Sequence, residues 1–141
     1  MKNLITLLFS LFILTFSSCS KNDDSNQNID GTLLIGKWKI VSIKNNNEVM
    51  NLDNCSTGTY KEYKTDNRYY EHYLCGTTSY LDPSDYSLSN NKITYVFDDP
   101  GLDEPIFKVN IDELTNNSLI TSFQREGNGL SISVVIVYTK I

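Results

Sequence analysis

From Gly31 onward, apolar residues recur mostly at every second position, and turn-forming residues interrupt them about every eight to twelve. A period of two is that of a half-buried β-strand, and no stretch carries the 3.6-residue period of an amphipathic helix. The spacing predicts eight strands, at 36–44, 56–64, 68–75, 84–89, 92–98, 105–113, 117–125 and 130–140. The fold class is therefore all-β, a barrel or a sandwich.

Hairpin arithmetic tests this pattern from within. Asn90-Asn91, between Ser89 and Lys92, is a two-residue turn of a type that accepts positive φ. Pairing outward from it sets Leu88 against Ile93 and Tyr86 against Tyr95, with all four on one face. A last turn at residues 126–129 sets Arg125 against Leu130, Phe123 against Ile132, Thr121 against Val134 and Leu119 against Ile136. A slip of one residue would scatter these sets across both faces. The inward set is then Trp38, Ile40, Tyr63, Tyr86, Leu88, Ile93, Tyr95, Phe97, Phe107, Val109, Ile111, Leu119, Phe123, Ile132, Val134 and Ile136. Val41, Ile43, Ile120, Val135 and Val137 point outward.

The amino terminus follows another pattern. Met1-Lys2-Asn3 precedes an apolar run from Leu4 to Phe16, broken only by Ser10 and Thr15. At about 1.5 Å per residue that run is too short to span a bilayer, but it suits an export signal. It ends in Phe16-Ser17-Ser18-Cys19, which resembles the bacterial lipobox, with phenylalanine where leucine is usual. The resemblance implies cleavage before Cys19 and acylation of its thiol, palmitate among the acyl groups; the alternative is an ordinary cleaved signal with an incidental cysteine. Each buried methylene contributes about 0.8 kcal/mol, so two or three acyl chains would make the membrane a lasting partner. The polar stretch 20–28 reads as a flexible tether. Asp23-Asp24 resembles the export signal of surface lipoproteins. The expected organisation is a signal peptide over 1–18, a lipidated cysteine and tether over 19–31, and a β-domain over 32–141. The expected location is the outer membrane, on the cell surface in preference to the periplasmic face.

Composition narrows the partners. Residues 1–18 hold one charge, Lys2, so the remainder has 11 basic and 17 acidic residues. Such a surface repels phosphate backbones, which argues against nucleic acid. With Cys19 set aside, Cys55 and Cys75 remain as a candidate disulfide. They lie symmetrically about residue 65, near the turn that joins the second and third strands, or they are two free thiols that never meet. With one histidine they cannot form a structural zinc site without carboxylate help. No metal or cofactor is expected.

Gly36-Lys37-Trp38 opens the first strand, and Val137-Tyr138-Thr139-Lys140 closes the chain. With Cys55, the turn after Tyr63, Cys75, the segment 86–94 and Ile111-Asp112-Glu113-Leu114-Thr115 between them, the chain from Leu34 to Ile141 resembles a lipocalin-like domain of bacterial lipoproteins. The resemblance implies an eight-stranded antiparallel up-and-down barrel that is either filled by side chains or holds one small ligand. It also implies a tryptophan on the barrel floor, Trp38, covered by a basic residue of the last strand, here Lys140 in place of the usual arginine. Tyr63, Tyr86, Tyr95, Phe97, Phe107 and Phe123 are the candidate ligand-lining residues.

Two functions stay open. One is a barrel that binds a small apolar or amphipathic molecule, with a cavity of at least about 300 Å³ at the end away from Trp38. The other is a filled barrel whose surface meets a protein or glycan. Catalysis is not expected, because no Gly-x-Ser-x-Gly elbow or phosphate-cradling glycine loop occurs. His72 is the only histidine and reads as surface or packing. Glu62 and Glu71 read as surface charges among Lys61, Lys64 and Arg68. Six of the nine tyrosines fall within residues 60–80, as good strand residues or as a barrel mouth. The acidic segment 98–104 reads as a solvated turn, since it lacks the alternating spacing of calcium loops.

Overall fold

A computed structural model describes residues 29–97, 105–127 and 129–141, with the side chains of Ser79, Tyr80 and Asp82 left aside. Nine strands follow in chain order: β1 Gly36–Asn45, β2 Glu48–Val49, β3 Tyr60–Tyr63, β4 Arg68–Cys75, β5 Thr78–Ser89, β6 Lys92–Phe97, β7 Ile106–Leu114, β8 Ser118–Gly127 and β9 Leu130–Lys140. From β3 to β9 each strand pairs antiparallel with the next, and β1 pairs with both β3 and β9. Eight strands thus close an up-and-down barrel with no open edge. The two-residue β2 is an addition to β1.

Backbone sterics explain the tight turns. Asn46, Asn47, Asn67, Asn90 and Asn91 all have positive φ, a region asparagine enters at little cost. The Asn90-Asn91 hairpin pairs Ser89 with Lys92, Leu88 with Ile93 and Tyr86 with Tyr95, as the sequence predicts. The last hairpin is tighter than expected: Gly127 pairs with Leu130, Phe123 with Val134, Thr121 with Ile136 and Leu119 with Tyr138. Partners therefore move by two residues. A shift of two preserves the faces, so the inward set survives the error.

Two bulges alter the faces elsewhere. One falls in β1 between Ile40 and Ser42, leaving Val41 exposed and pairing Ile43 with Ile136 against the core. Ile43 is thus inward, contrary to expectation, because one extra residue reverses strand parity. A second bulge, between Ile111 and Glu113, likewise brings Leu114 to the core beside Leu119.

The expected strand at 56–64 is shorter. Residues Asn54–Gly58 form a helical turn, α1, and β3 begins only at Tyr60. Asp53 caps it by accepting a hydrogen bond from the Ser56 amide at 2.7 Å. Gly58 lets the turn lie on β4, since a Cβ there would sit 2.5 Å from the Leu74 carbonyl oxygen. A disulfide from Cys55 to Cys75, 20 residues apart, ties α1 to the end of β4. Replacing both cysteines by serine is expected to cost about 3 kcal/mol through the freed denatured chain. Urea unfolding of the two proteins checks this, and equal midpoints would remove the claim.

Candidate functional site

The barrel has a closed end and an open end. At the closed end a 3₁₀ turn, Gly31–Leu34, crosses beneath the strands, with its N-terminus held by Asp30. Trp38 is completely buried and its Nε1–H donates to the Leu34 carbonyl at 2.7 Å. Lys140 Nζ lies 5.0 Å over the indole ring and donates to the Leu33 carbonyl at 3.0 Å. Gly36 clears the way for that lysine: its φ is +130°, and a Cβ would meet Lys140 Cε at 2.7 Å. A cavity of about 330 Å³ lies at this end, lined by Gly31, Thr32, Ile35, Thr65, Asn67, Tyr86 and Leu88.

Above the floor the interior fills with aromatic rings. Tyr63 and Tyr95 join their hydroxyls in a buried hydrogen bond. Tyr69 packs against both, with centroids 5.3 and 4.8 Å away. Tyr86 meets Tyr63 edge-on and donates to the Lys64 carbonyl. Burial pushes the Tyr95 phenol up to about 12, and raises Tyr63 and Tyr69 well above the usual tyrosine range.

Two charged residues expected on the surface point into this aromatic core. Lys61 shares the inward face of β3 with Tyr63, and Glu71 shares that of β4 with Tyr69. Lys61 Nζ lies 5.4, 5.8 and 5.7 Å from the ring centroids of Tyr69, Tyr95 and Tyr138. Burial works against its ammonium form, but the Tyr138, Tyr69 and Tyr95 phenols and the Glu71 carboxylate outweigh it, so Lys61 stays well above the ordinary lysine range. Glu71 in turn accepts a hydrogen bond from the Tyr69 hydroxyl at 2.9 Å.

Toward the open end the lining turns to phenylalanine. Phe107 and Phe123 meet edge-to-face at 4.9 Å, and Tyr95 lies 6.4 and 6.2 Å from Phe97 and Phe107. A cavity of about 580 Å³ opens here, lined by Phe107, Phe123, Gln124, Arg125 and Glu126. The six candidate lining residues thus divide. Tyr63 and Tyr86 belong to the packed lower half, Tyr95 lies between the halves, and Phe97, Phe107 and Phe123 surround the upper half.

Other candidates lie on the outer face or outside the described residues. His72 bonds Glu62 at 2.9 Å and stacks on Tyr60 at 4.2 Å. Glu62 pairs with Tyr70 and does not face Glu71. Among the described residues, no three His, Cys, Asp or Glu side chains gather as metal ligands. Cys19 and the acidic segment 98–104 lie outside the described residues.

A closed eight-stranded antiparallel barrel, sealed by tryptophan and lysine and opening onto an aromatic cavity, defines a lipocalin-type protein. The sequence profile of the lipocalin-like domain family matches residues 34–121, more than half of the chain. The chain belongs to that family. A lipocalin-like protein of Bacteroides uniformis is 16% identical, with a TM-score of 0.58 over 77% of this chain and 99% of its own. An uncharacterised protein of Bacteroides eggerthii is 11% identical, with a TM-score of 0.57 over 76% of this chain and 98% of its own. The bovine lipocalin allergen Bos d 2 is 13% identical, with a TM-score of 0.52 over 80% of this chain and 76% of its own. At such identities the likeness is one of fold. Among curated proteins no sequence match is found.

Proposed function

We propose that the protein is a non-enzymatic lipoprotein of the outer membrane, anchored through acyl chains on Cys19, that binds a small apolar or amphipathic ligand in the upper half of its barrel. The observation that carries the binding reading is the aromatic-walled cavity of about 580 Å³ at the open end, above a floor sealed by Trp38 and Lys140. Small-molecule sites are concave and combine apolar walls with polar groups; here Phe107 and Phe123 supply the apolar wall, and Gln124, Arg125 and Glu126 supply a polar rim suited to an amphipathic molecule. The anchor and its location rest on the sequence at residues 1–24, with Asp23-Asp24 favouring the cell surface.

A second reading, a surface interaction protein with a filled barrel, draws on the lower half, where Trp38, Tyr63, Ile93 and Leu119 are fully buried. Native mass spectrometry of the full chain extracted from its host membrane separates the two. The binding reading expects a small-molecule adduct that denaturation releases, together with an acylated peptide beginning at Cys19. A bare barrel would favour the second reading, and an unacylated Cys19 would remove the anchor.

A further inference from the structure

The exposed apolar side chains of the barrel are not spread evenly between its two ends. Val49 and Met50 follow the first hairpin, Leu74 stands one residue before the end of β4, and Leu130 opens β9, all at the mouth. Val96 and Ile106 pair across the mouth ends of β6 and β7, beside the exposed Phe107 that lines the cavity. Val41 and Leu81 lie on the wall, and at the floor only Ile141 among the described residues is a large apolar side chain so exposed. A monomer in water gains nothing from an apolar rim, and such rims mark contact with a protein or a membrane.

The way the chain enters the barrel bears on which of these it meets. Ile29 packs on the core and Gly31–Leu34 crosses beneath the strands, so the tether leaves from the floor. Ten residue steps separate Cys19 from Ile29 and span up to about 35 Å when extended. The eleven residues of β9 rise about 28 Å along the barrel axis at a tilt of about 40°. A lipid on Cys19 can therefore lie level with the mouth, and it keeps the bilayer at a high effective concentration there.

Charge narrows the surface further. Around the mouth Glu48, Asp53 and Glu126 outnumber Lys44 and Arg125, and the segment 98–104 that joins β6 to β7 adds Asp98, Asp99, Asp103 and Glu104. Two copies meeting mouth to mouth would set these carboxylates against one another. Anionic headgroups would be repelled as well, which leaves apolar contact with a zwitterionic surface.

On the membrane-anchor reading above, we propose that the rim of the mouth docks on the zwitterionic surface of the anchoring bilayer, with the Trp38 floor turned away. The cavity then opens onto lipid, and an amphipathic ligand passes between bilayer and barrel without crossing water.

The test places the full chain in dioleoylphosphatidylcholine vesicles with and without dibrominated phosphatidylcholine, whose bromines quench tryptophan on contact. Leu130→Trp puts a probe at the rim and Ile141→Trp one at the floor, while the buried Trp38 gives both the same background. The rim probe is expected to lose most of its added emission and the floor probe none. Val49→Asp with Ile106→Asp should reduce that loss severalfold, and adding phosphatidylglycerol should not raise it. Quenching at the floor in place of the rim would turn the barrel over, and the proposal would fall. Quenching of neither probe would overturn it equally, the rim then being free or covered by a second copy. The mass of the Cys19 peptide from the same vesicles reports on the anchor separately: an unacylated chain with a quenched rim keeps the docking and loses the anchor. Ile106→Trp carries the same expectation should Leu130→Trp not fold.

Discussion

Trp38→Ala is expected to destabilise the domain by about 3–5 kcal/mol, the range for removing a large aromatic side chain from a packed core. Trp38 is completely buried, so the substitution leaves a void that the strands cannot close by local movement. It also removes the donor that satisfies the Leu34 carbonyl, and with it the tie between the 3₁₀ turn and β1. Lys140 loses the ring beneath its ammonium group but keeps its bond to the Leu33 carbonyl. Of a domain's typical stability of about 5–15 kcal/mol, such a loss is a large fraction. Trp38→Phe should be milder, because the ring is mostly retained while one buried carbonyl loses its partner, at about 1–3 kcal/mol. Urea unfolding followed by circular dichroism measures both. A cost below about 1 kcal/mol for Trp38→Ala would show that the floor of the barrel is not closed by the indole.

The second large effect is expected in alkali. Burial raises Tyr95 from 10.0 to about 12 and lifts Tyr63 and Tyr69 in the same direction. A phenol whose acid form is favoured in the folded state stabilises the fold fully below the unfolded value, near pH 10. That contribution is lost as pH rises toward the folded value. For Tyr95 alone, two pH units correspond to about 3 kcal/mol. Tyr63 and Tyr69 act with the same sign, and so does Lys61, whose raised value means that its folded-state advantage also disappears in strong base. The barrel should therefore hold to about pH 10 and unfold cooperatively between about pH 10 and 12. Tyrosinate absorbance and circular dichroism, recorded together, give the answer. Ordinary ionisation of all nine tyrosines near pH 10 with the native spectrum intact would contradict the packed phenol core.

Lys61 and Glu71 show how much of the site was legible and where the reading failed. A strand alternates with period two, so once Tyr63 faces inward Lys61 must as well, and Tyr69 carries Glu71 with it. The general rule that lysine and glutamate stay in water conceals what parity requires. The rule yields here because the tyrosine faces and the opposite charges of the two residues compensate for lost hydration. Tyr69 and Tyr138 join the core by the same parity. Ser84 follows from the same alternation, standing two residues before the inward Tyr86 on β5, but its residue type gives no hint of burial, since a small hydroxyl on a strand suits either face.

Alternation, the Asn90-Asn91 turn, the tryptophan that opens the first strand and the lysine that ends the last are written locally. They follow from backbone sterics and from the two-residue period of a strand, so the sequence alone determines the β-class, the order of the strands and most of the inward faces. Contacts between distant residues decide the rest. The bulge at Val41, the two-residue shift in the last hairpin and the α1 turn held by Cys75 and seated on Leu74 each depend on which strand lies alongside. So does the meeting of Lys61, Ser84 and Glu71 around one tyrosine. Strand partners are chosen by the energy of closing the whole barrel, and no local stretch of chain contains that quantity.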